Sequence, residues 1–184
     1  NLNVLFLEAA LNILAESGYD AMTMDMIAAA TKSSKATLYR RWPSKAELVK
    51  DALIWMSSGS VELDTMPDTG ALRSDLLGVL KPYAAGYAEW KLRVLSSLGT
   101  FFSQHEALAQ EVTDGIFTPW TTLNRALMQR AIERGEISPH ADIEKACEVI
   151  AAMTSYYSLT QKKVFVKEDY EALLDKILLP ALKK

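Results

Sequence analysis

The run from Thr23 to Leu48, Thr-Met-Asp-Met-Ile-Ala-Ala-Ala-Thr-Lys-Ser-Ser-Lys-Ala-Thr-Leu-Tyr-Arg-Arg-Trp-Pro-Ser-Lys-Ala-Glu-Leu, constrains this chain more than any other stretch. It reads as two short helices, a tight turn between them, and a third helix that starts at a capping sequence. Cationic and hydroxyl side chains crowd onto the second helix. This is the pattern of a helix-turn-helix that lays its second helix in the DNA major groove.

Each position has a physical role. Thr23 precedes the first short helix and can cap it, with Asp25 favourably placed in the first turn; an exposed helix N-terminus also holds phosphate. Ser33 or Ser34 can cap the next helix, Lys35 to Arg41. There Leu38 faces the core, while Lys35, Thr37 and Tyr39 suit an outer face. Ser44-Lys45-Ala46-Glu47 is a capping box behind Pro43, and Lys45 at that start is placed to reach the DNA backbone. Trp42 is assigned to core packing and Tyr39 to the surface. The expected DNA contacts are Thr23, Lys32, Ser33, Ser34, Lys35, Thr37, Tyr39, Arg40 and Lys45, with Lys35 and Arg40 as the candidates for base discrimination.

Charge sharpens this reading. Between residues 32 and 50, Lys32, Lys35, Arg40, Arg41, Lys45 and Lys50 face Glu47 alone. The whole 184-residue chain carries 20 basic and 23 acidic residues, a net of −3. An acidic total argues against coating nucleic acid indiscriminately, while one concentrated patch can still neutralise phosphates.

These residues also carry a resemblance. Ala9-Ala10-Leu11 through Gly18-Tyr19, then Thr23, Ile27-Ala28, Ser34-Lys35-Ala36-Thr37-Leu38-Tyr39 and Pro43-Ser44-Lys45-Ala46-Glu47-Leu48 resemble the tetracycline-repressor (TetR) family over about the first 50 residues. Where this chain has Thr31-Lys32-Ser33, the family pattern usually has Ala-Gly-Val. Glycine suits a left-handed turn position; lysine there is strained but adds a positive charge. Asp68-Thr69-Gly70-Ala71-Leu72-Arg73-Ser74-Asp75-Leu76 and Ala131-Ile132-Glu133-Arg134-Gly135-Glu136-Ile137 look like the regulatory half of one TetR subgroup. The resemblance implies a homodimeric repressor of an inverted-repeat DNA operator, released by a small-molecule effector whose identity it leaves open.

The expected fold is all-α. A three-helix DNA-binding domain over residues 1–46 precedes an effector-binding and dimerisation domain over 47–184, and the helix from Ser44 bridges the two. Leu7, Ala10, Leu11 and Leu14 share one face of the first helix, which Gly18 ends. Ser57-Ser58-Gly59-Ser60 and Met66-Pro67-Asp68-Thr69-Gly70 flank a linker. Further helices are expected over 71–86, 87–104, 107–134, 143–162 and 168–182, with Pro82 and Pro119 kinking or interrupting the first and third of these. The opening Asn1-Leu2-Asn3-Val4 lacks the basic start of a signal peptide, and the segment is expected to begin partway into the first helix of a longer product.

Large apolar side chains crowd the later helices. Trp90, Phe102, Phe117, Trp120 and Tyr156 are the candidates for lining an effector cavity, with His105, Gln129 or Thr121 as sources of polarity. Ala146, Val149, Ile150, Met153 and Tyr157, and then Tyr170, Leu173, Leu174 and Ile177, run at helical spacing and suit a twofold four-helix dimer surface. Two histidines, one cysteine and no metal-ligand spacing argue against enzymatic chemistry, and no cofactor or metal is expected. Lone Cys147 suits a reducing cytoplasm, and no apolar run reaches the length of a membrane span. The rival reading is a helical interaction module whose basic patch binds an acidic protein or an anionic surface.

Overall fold

The computed structural model describes residues 1–58, 66–80 and 86–183. The expected effect of Pro82, and Gly59-Ser60 of the linker, lie outside the described residues. Among those described, every regular element is helical.

Helix α1 spans Leu2–Ala21 and starts at the Asn1 side chain, which accepts from the Asn3 amide at 3.1 Å. Its regular course stops at Gly18, at φ 78° and ψ 167°, a conformation open in practice only to glycine. The redirected turn then sends Tyr19 inward. Helices α2 (Met24–Ala30), α3 (Lys35–Tyr39) and α4 (Lys45–Ser58) follow. Next come α5 (Leu72–Gly78), α6 (Tyr87–Ser96), α7 (Gly99–Gln104) and α8 (Glu106–Glu133). Helix α9 (Ile143–Ser155) continues into a π-helical turn, Tyr156–Thr160; α10 (Lys167–Leu173) does likewise over Leu174–Leu178, before the short α11 (Leu179–Leu182).

The helix expected over 87–104 is broken at Ser97–Leu98 into α6 and α7, with the Ser97 hydroxyl bonded back to the Val94 carbonyl at 2.7 Å. Pro119, in contrast, lies inside α8 without interrupting it. Proline removes one backbone donor and crowds the carbonyl four residues back, here that of Gly115.

The chain packs as two units. The first comprises residues 1–57 and 84–116, the second 58–83 and 117–184. In the first, Phe6, Leu11, Leu14, Ile27, Leu38, Leu48, Leu53 and Phe101 form a fully buried core. Helix α4 contributes Ala46, Leu48, Val49, Ala52, Leu53 and Met56 to burial in this unit. Part of α8 approaches α4 so closely that a Cβ on Gly115 would stand 2.8 Å from Ile54 Cγ1.

The second unit is centred on Leu72, Leu76, Leu127, Met128, Ala131, Cys147, Ile150, Tyr170 and Leu174. Of the side chains expected on a twofold surface, Ala146, Ile150, Tyr170, Leu173 and Leu174 are buried in this unit's own core. Val149 and Met153 pack partly against that core, and the Tyr157 ring meets Phe165 edge-on at 5.0 Å. Ile177 stays 59% exposed; Met66, Tyr156, Leu159 and Val166 are the other large exposed apolar groups among this unit's described residues. Cys147 is buried, and desolvation pushes its thiol up to about 11, so it stays uncharged and unreactive near neutrality.

Among the described residues, Asp75 is the second unit's buried charge. Its carboxylate accepts from the Thr69 amide at 2.6 Å, the Thr69 hydroxyl at 2.7 Å and Arg130 at 2.9 Å, with Arg134 at 3.4 Å. Arg130 also donates to the Pro67 carbonyl. Glu136 accepts from the Leu72 amide at 2.8 Å, satisfying a free N–H at the start of α5. Residues 67–72 are thereby tied to the end of α8.

Candidate nucleic-acid interface

The caps expected around the helix-turn-helix are present. Thr23 Oγ1 accepts from the Met26 amide at 3.2 Å, Ser34 Oγ from the Thr37 amide at 3.1 Å, and Ser44 Oγ from the Glu47 amide at 3.2 Å. Ser34, not Ser33, therefore caps α3. Ser33 instead donates its hydroxyl to the Thr31 carbonyl at 3.2 Å, inside the turn.

The turn itself is a helix C-terminus of the Schellman type. The Ser33 amide reaches back to the Ala28 carbonyl at 2.9 Å and the Lys32 amide to that of Ala29 at 3.2 Å. The same pair of bonds closes α8, where Glu136 and Gly135 reach Ala131 and Ile132. Gly135 takes the left-handed position there at φ 71°; in the helix-turn-helix, Lys32 takes it at φ 51°. Lysine in that conformation is strained by about 1 kcal/mol. Lys32→Gly is accordingly expected to raise stability by about 1 kcal/mol while weakening DNA binding and lowering its salt slope by about one. Thermal melting paired with salt-dependent DNA titration checks both halves, and an unchanged slope removes Lys32 from the contacts.

Helix α3 buries only Leu38. Lys32, Ser34, Lys35, Tyr39, Arg40 and Arg41 are exposed, Tyr39 to 47%, and Thr37 is half-buried. Trp42 is buried; its ring meets Phe6 edge-on at 5.8 Å and its indole N–H donates to Asp51 at 2.8 Å. The recognition face is thus hydroxylic and cationic, pinned from behind by one leucine and one tryptophan.

The cations differ in how they are held. Lys35 pairs with Asp25 at 2.6 Å, an exposed contact that a phosphate could exchange for. Lys50 is turned away to Glu111 at 3.0 Å, and Arg41 lies over the Phe6 ring at 5.7 Å. Lys45 donates to the Tyr19 carbonyl at 2.6 Å with its ammonium 4.2 Å from the Tyr19 ring centre. Nothing in the local sequence signals that seat, because its partner lies 26 residues away. Lys32 and Arg40 have no ion pair among the described residues.

The candidate effector residues divide between the units. Trp90 packs on the first core and donates its indole N–H to Asn12 at 3.0 Å, and Phe102 lies beside Phe101 at 5.6 Å. Phe117, Trp120 and Tyr156 belong to the second unit. Neither unit contains all five. His105 ends α7 with its Nε2 2.8 Å from the Tyr19 hydroxyl, within the first unit. Among the described residues no cluster of acidic, histidine or cysteine side chains could hold a metal, and no helix is long and apolar enough to cross a membrane.

Comparison with known proteins agrees with this geometry. Residues 6–52 match the bacterial regulatory proteins of the tetR family, and residues 66–177 match the tetracyclin repressor-like C-terminal domain. An HTH-type transcriptional regulator of Mycobacterium tuberculosis is 32% identical over 176 residues, spanning 96% of this chain and 85% of that protein. The DNA-binding transcriptional repressor TetR of Mycobacteroides abscessus is 31% identical over 150 residues, 82% of this chain and 78% of that one. Salmonella enterica GusR shares the fold with a TM-score of 0.76 at 18% identity, over 100% of this chain and 96% of that one. FadR from Bacillus subtilis, solved in complex with stearoyl-CoA, does so at 0.63 and 17% identity, over 98% and 97%. The helix-turn-helix at one end and the helical regulatory half at the other thus fall under matching descriptions, and the chain belongs to the TetR family of DNA-binding transcriptional regulators.

Proposed function

We propose that this regulator acts as a homodimeric repressor in the bacterial cytoplasm, reading an inverted-repeat operator and releasing it when a small molecule binds. Residues 1–46 supply the reading head and residues 47–184 the effector and dimer functions. The observation that carries the reading is α3: five residues anchored through Leu38 alone, with Ser34, Tyr39 and the cations of the turn and helix left exposed.

The dimer brings two such helices about one DNA turn apart, ~34–36 Å, where they meet successive major grooves. Its contact surface uses apolar groups that the second unit leaves exposed toward the end of the chain: Leu159, Val166 and Ile177. An effector that binds better to a dimer of different spacing lowers DNA affinity by linkage, limited by its differential affinity for the two states. That the FadR relative in fold was crystallised with stearoyl-CoA supports a sizeable apolar ligand in the helical half, and Phe117, Trp120 and Tyr156 remain the proposed lining.

The test is selection from random duplex DNA, followed by titration of the winning sequence at two salt concentrations. Enrichment of an inverted repeat with a steep salt slope is the expected result. Absence of any enriched sequence would overturn the reading in favour of a protein-binding module. Lys45→Ala is expected to weaken binding across all sequences and to lower the salt slope by about one, whereas Tyr39→Phe weakens binding with little change in slope. Unchanged affinity in both removes them from the contacts.

A further inference from the structure

Lys45 stands at the first turn of α4, the positive end of a helix dipole, where a cation is poorly placed unless something holds it. Tyr19 does so, with its carbonyl at 2.6 Å and the face of its ring at 4.2 Å. Tyr19 is in turn held at its far end. Its hydroxyl lies 2.8 Å from His105 Nε2, and its ring sits edge-on to Phe101 at 5.4 Å and to the His105 imidazole at 5.8 Å. A second bond, Thr100 Oγ1 to Asp20 at 2.9 Å, fastens the same two chain segments. One continuous clasp thus runs from the end of α7 through the end of α1 to the start of α4.

The direction of the central bond depends on the tautomer of the imidazole. Burial, and then the neighbouring Asp20 carboxylate, push the Tyr19 phenol up, so it keeps its proton near neutrality. The phenol can donate to His105 Nε2 only while that nitrogen carries no proton, that is, in one tautomer of the neutral imidazole. We infer that His105 is a positioning residue for DNA binding, holding Lys45 in its phosphate-ready seat through Tyr19, and that the regulator's affinity for its operator falls when His105 is protonated.

Protonation acts twice. It makes Nε2 a donor only, so the bond persists only if the Tyr19 phenol turns round to accept. It also brings a second cation to a tyrosine that already carries the Lys45 ammonium. The titratable group that touches His105 is Tyr19; Asp20 beside Tyr19 on α1, Lys45 of α4 over the Tyr19 ring, and Glu106, the residue after His105 in the chain, are the charged groups of the clasp. The Asp20 carboxylate, which accepts from the Thr100 hydroxyl at 2.9 Å, keeps its charge and moderates the repulsion. Histidine is the side chain that changes charge between pH 5 and 8, and this chain has only one other, His140, which lies in the second unit.

The inference rests on the proposed phosphate contact of Lys45, and the experiment separates the two. The full chain is titrated with its selected operator duplex at pH 8.0, 7.0 and 6.0 at constant ionic strength. Wild type is expected to lose affinity by about two- to tenfold from pH 8 to pH 6, the size of one ordinary hydrogen bond. His105→Gln, whose amide oxygen can accept from Tyr19 and whose charge never changes, should match wild type at pH 8 and lose this pH dependence. His105→Leu should bind more weakly at every pH, with a flat profile, and Tyr19→Phe should do the same. His140→Gln should behave as wild type. A purely structural His105 would weaken His105→Leu but leave wild type and His105→Gln with the same profile, which overturns the proposal. Should Lys45→Ala bind as wild type, the phosphate contact fails. The clasp is then judged without DNA, by whether Tyr19→Phe shifts the His105 imidazole NMR titration; no shift overturns it.

Discussion

Replacing Asp75 by alanine is expected to destabilise this protein by about 3–5 kcal/mol, lowering its melting temperature by on the order of 10 °C. The carboxylate is 0% exposed and is the acceptor on which the Thr69 amide, the Thr69 hydroxyl and Arg130 converge, with Arg134 at the margin. Truncation leaves two guanidinium groups without their buried counter-charge and frees residues 67–71 from α8. Thermal melting by circular dichroism measures the loss; a change below about 1 kcal/mol would mean that water replaces the carboxylate without penalty.

The same group sets a pH dependence. Burial pushes the Asp75 carboxyl up, but the Thr69 amide and hydroxyl and the Arg130 guanidinium together outweigh burial and hold it below the ordinary carboxylate value. A folded-state value below the unfolded one means that Asp75 stabilises the fold fully above the ordinary value near 4. That stabilisation is lost as pH falls through the lower folded value. Asp75→Asn should remove this part of the acid limb of stability, seen as a shallower fall in melting temperature between about pH 4 and pH 2.

The second large effect is expected at Leu38. It is fully buried and is the one apolar anchor of a five-residue helix too short to persist alone. Its carbonyl also accepts from the Arg41 and Trp42 amides, each at 3.0 Å, which close the turn into Pro43. Leu38→Ala should cost about 2–5 kcal/mol, and much of the damage is local because few other contacts hold α3. Each 1.4 kcal/mol of local opening lowers the competent fraction about tenfold, so operator affinity should fall on the order of 10- to 100-fold while the chain stays folded in the cold. An affinity within about twofold of wild type would show that the DNA itself orders α3.

The reading head was legible in sequence because its determinants are local. Thr23, Ser34 and Ser44 each bond an amide three residues ahead, and Gly18 ends the regular course of its own helix. Even the strain at Lys32 could be anticipated, since a left-handed residue is required wherever a helix closes in this way. The choice between Ser33 and Ser34 as the cap was beyond periodicity, because both are hydroxyls and only the geometry of the turn separates them.

Farther along the chain, local pattern gave less. An apolar stripe on α9 or α10 reads the same whether it faces its own core or a second copy. Tyr170 and Ile150 turned inward, while Ile177, on the same expected stripe, stayed out. The break at Ser97–Leu98 and the continuity of α8 through Pro119 were likewise settled by packing rather than propensity.

By itself, the sequence determined that this is an all-helical regulator with a helix-turn-helix near its start, since caps, turns and a concentrated charge act over three to five residues. Only the tertiary structure decided that Lys45 rests on Tyr19, that Tyr19 is held by His105 86 residues away, and that Asp75 meets Arg130 across 55 residues. Such contacts depend on where separate helices come to lie, and many partners satisfy one polar group equally well until burial leaves a single one within reach.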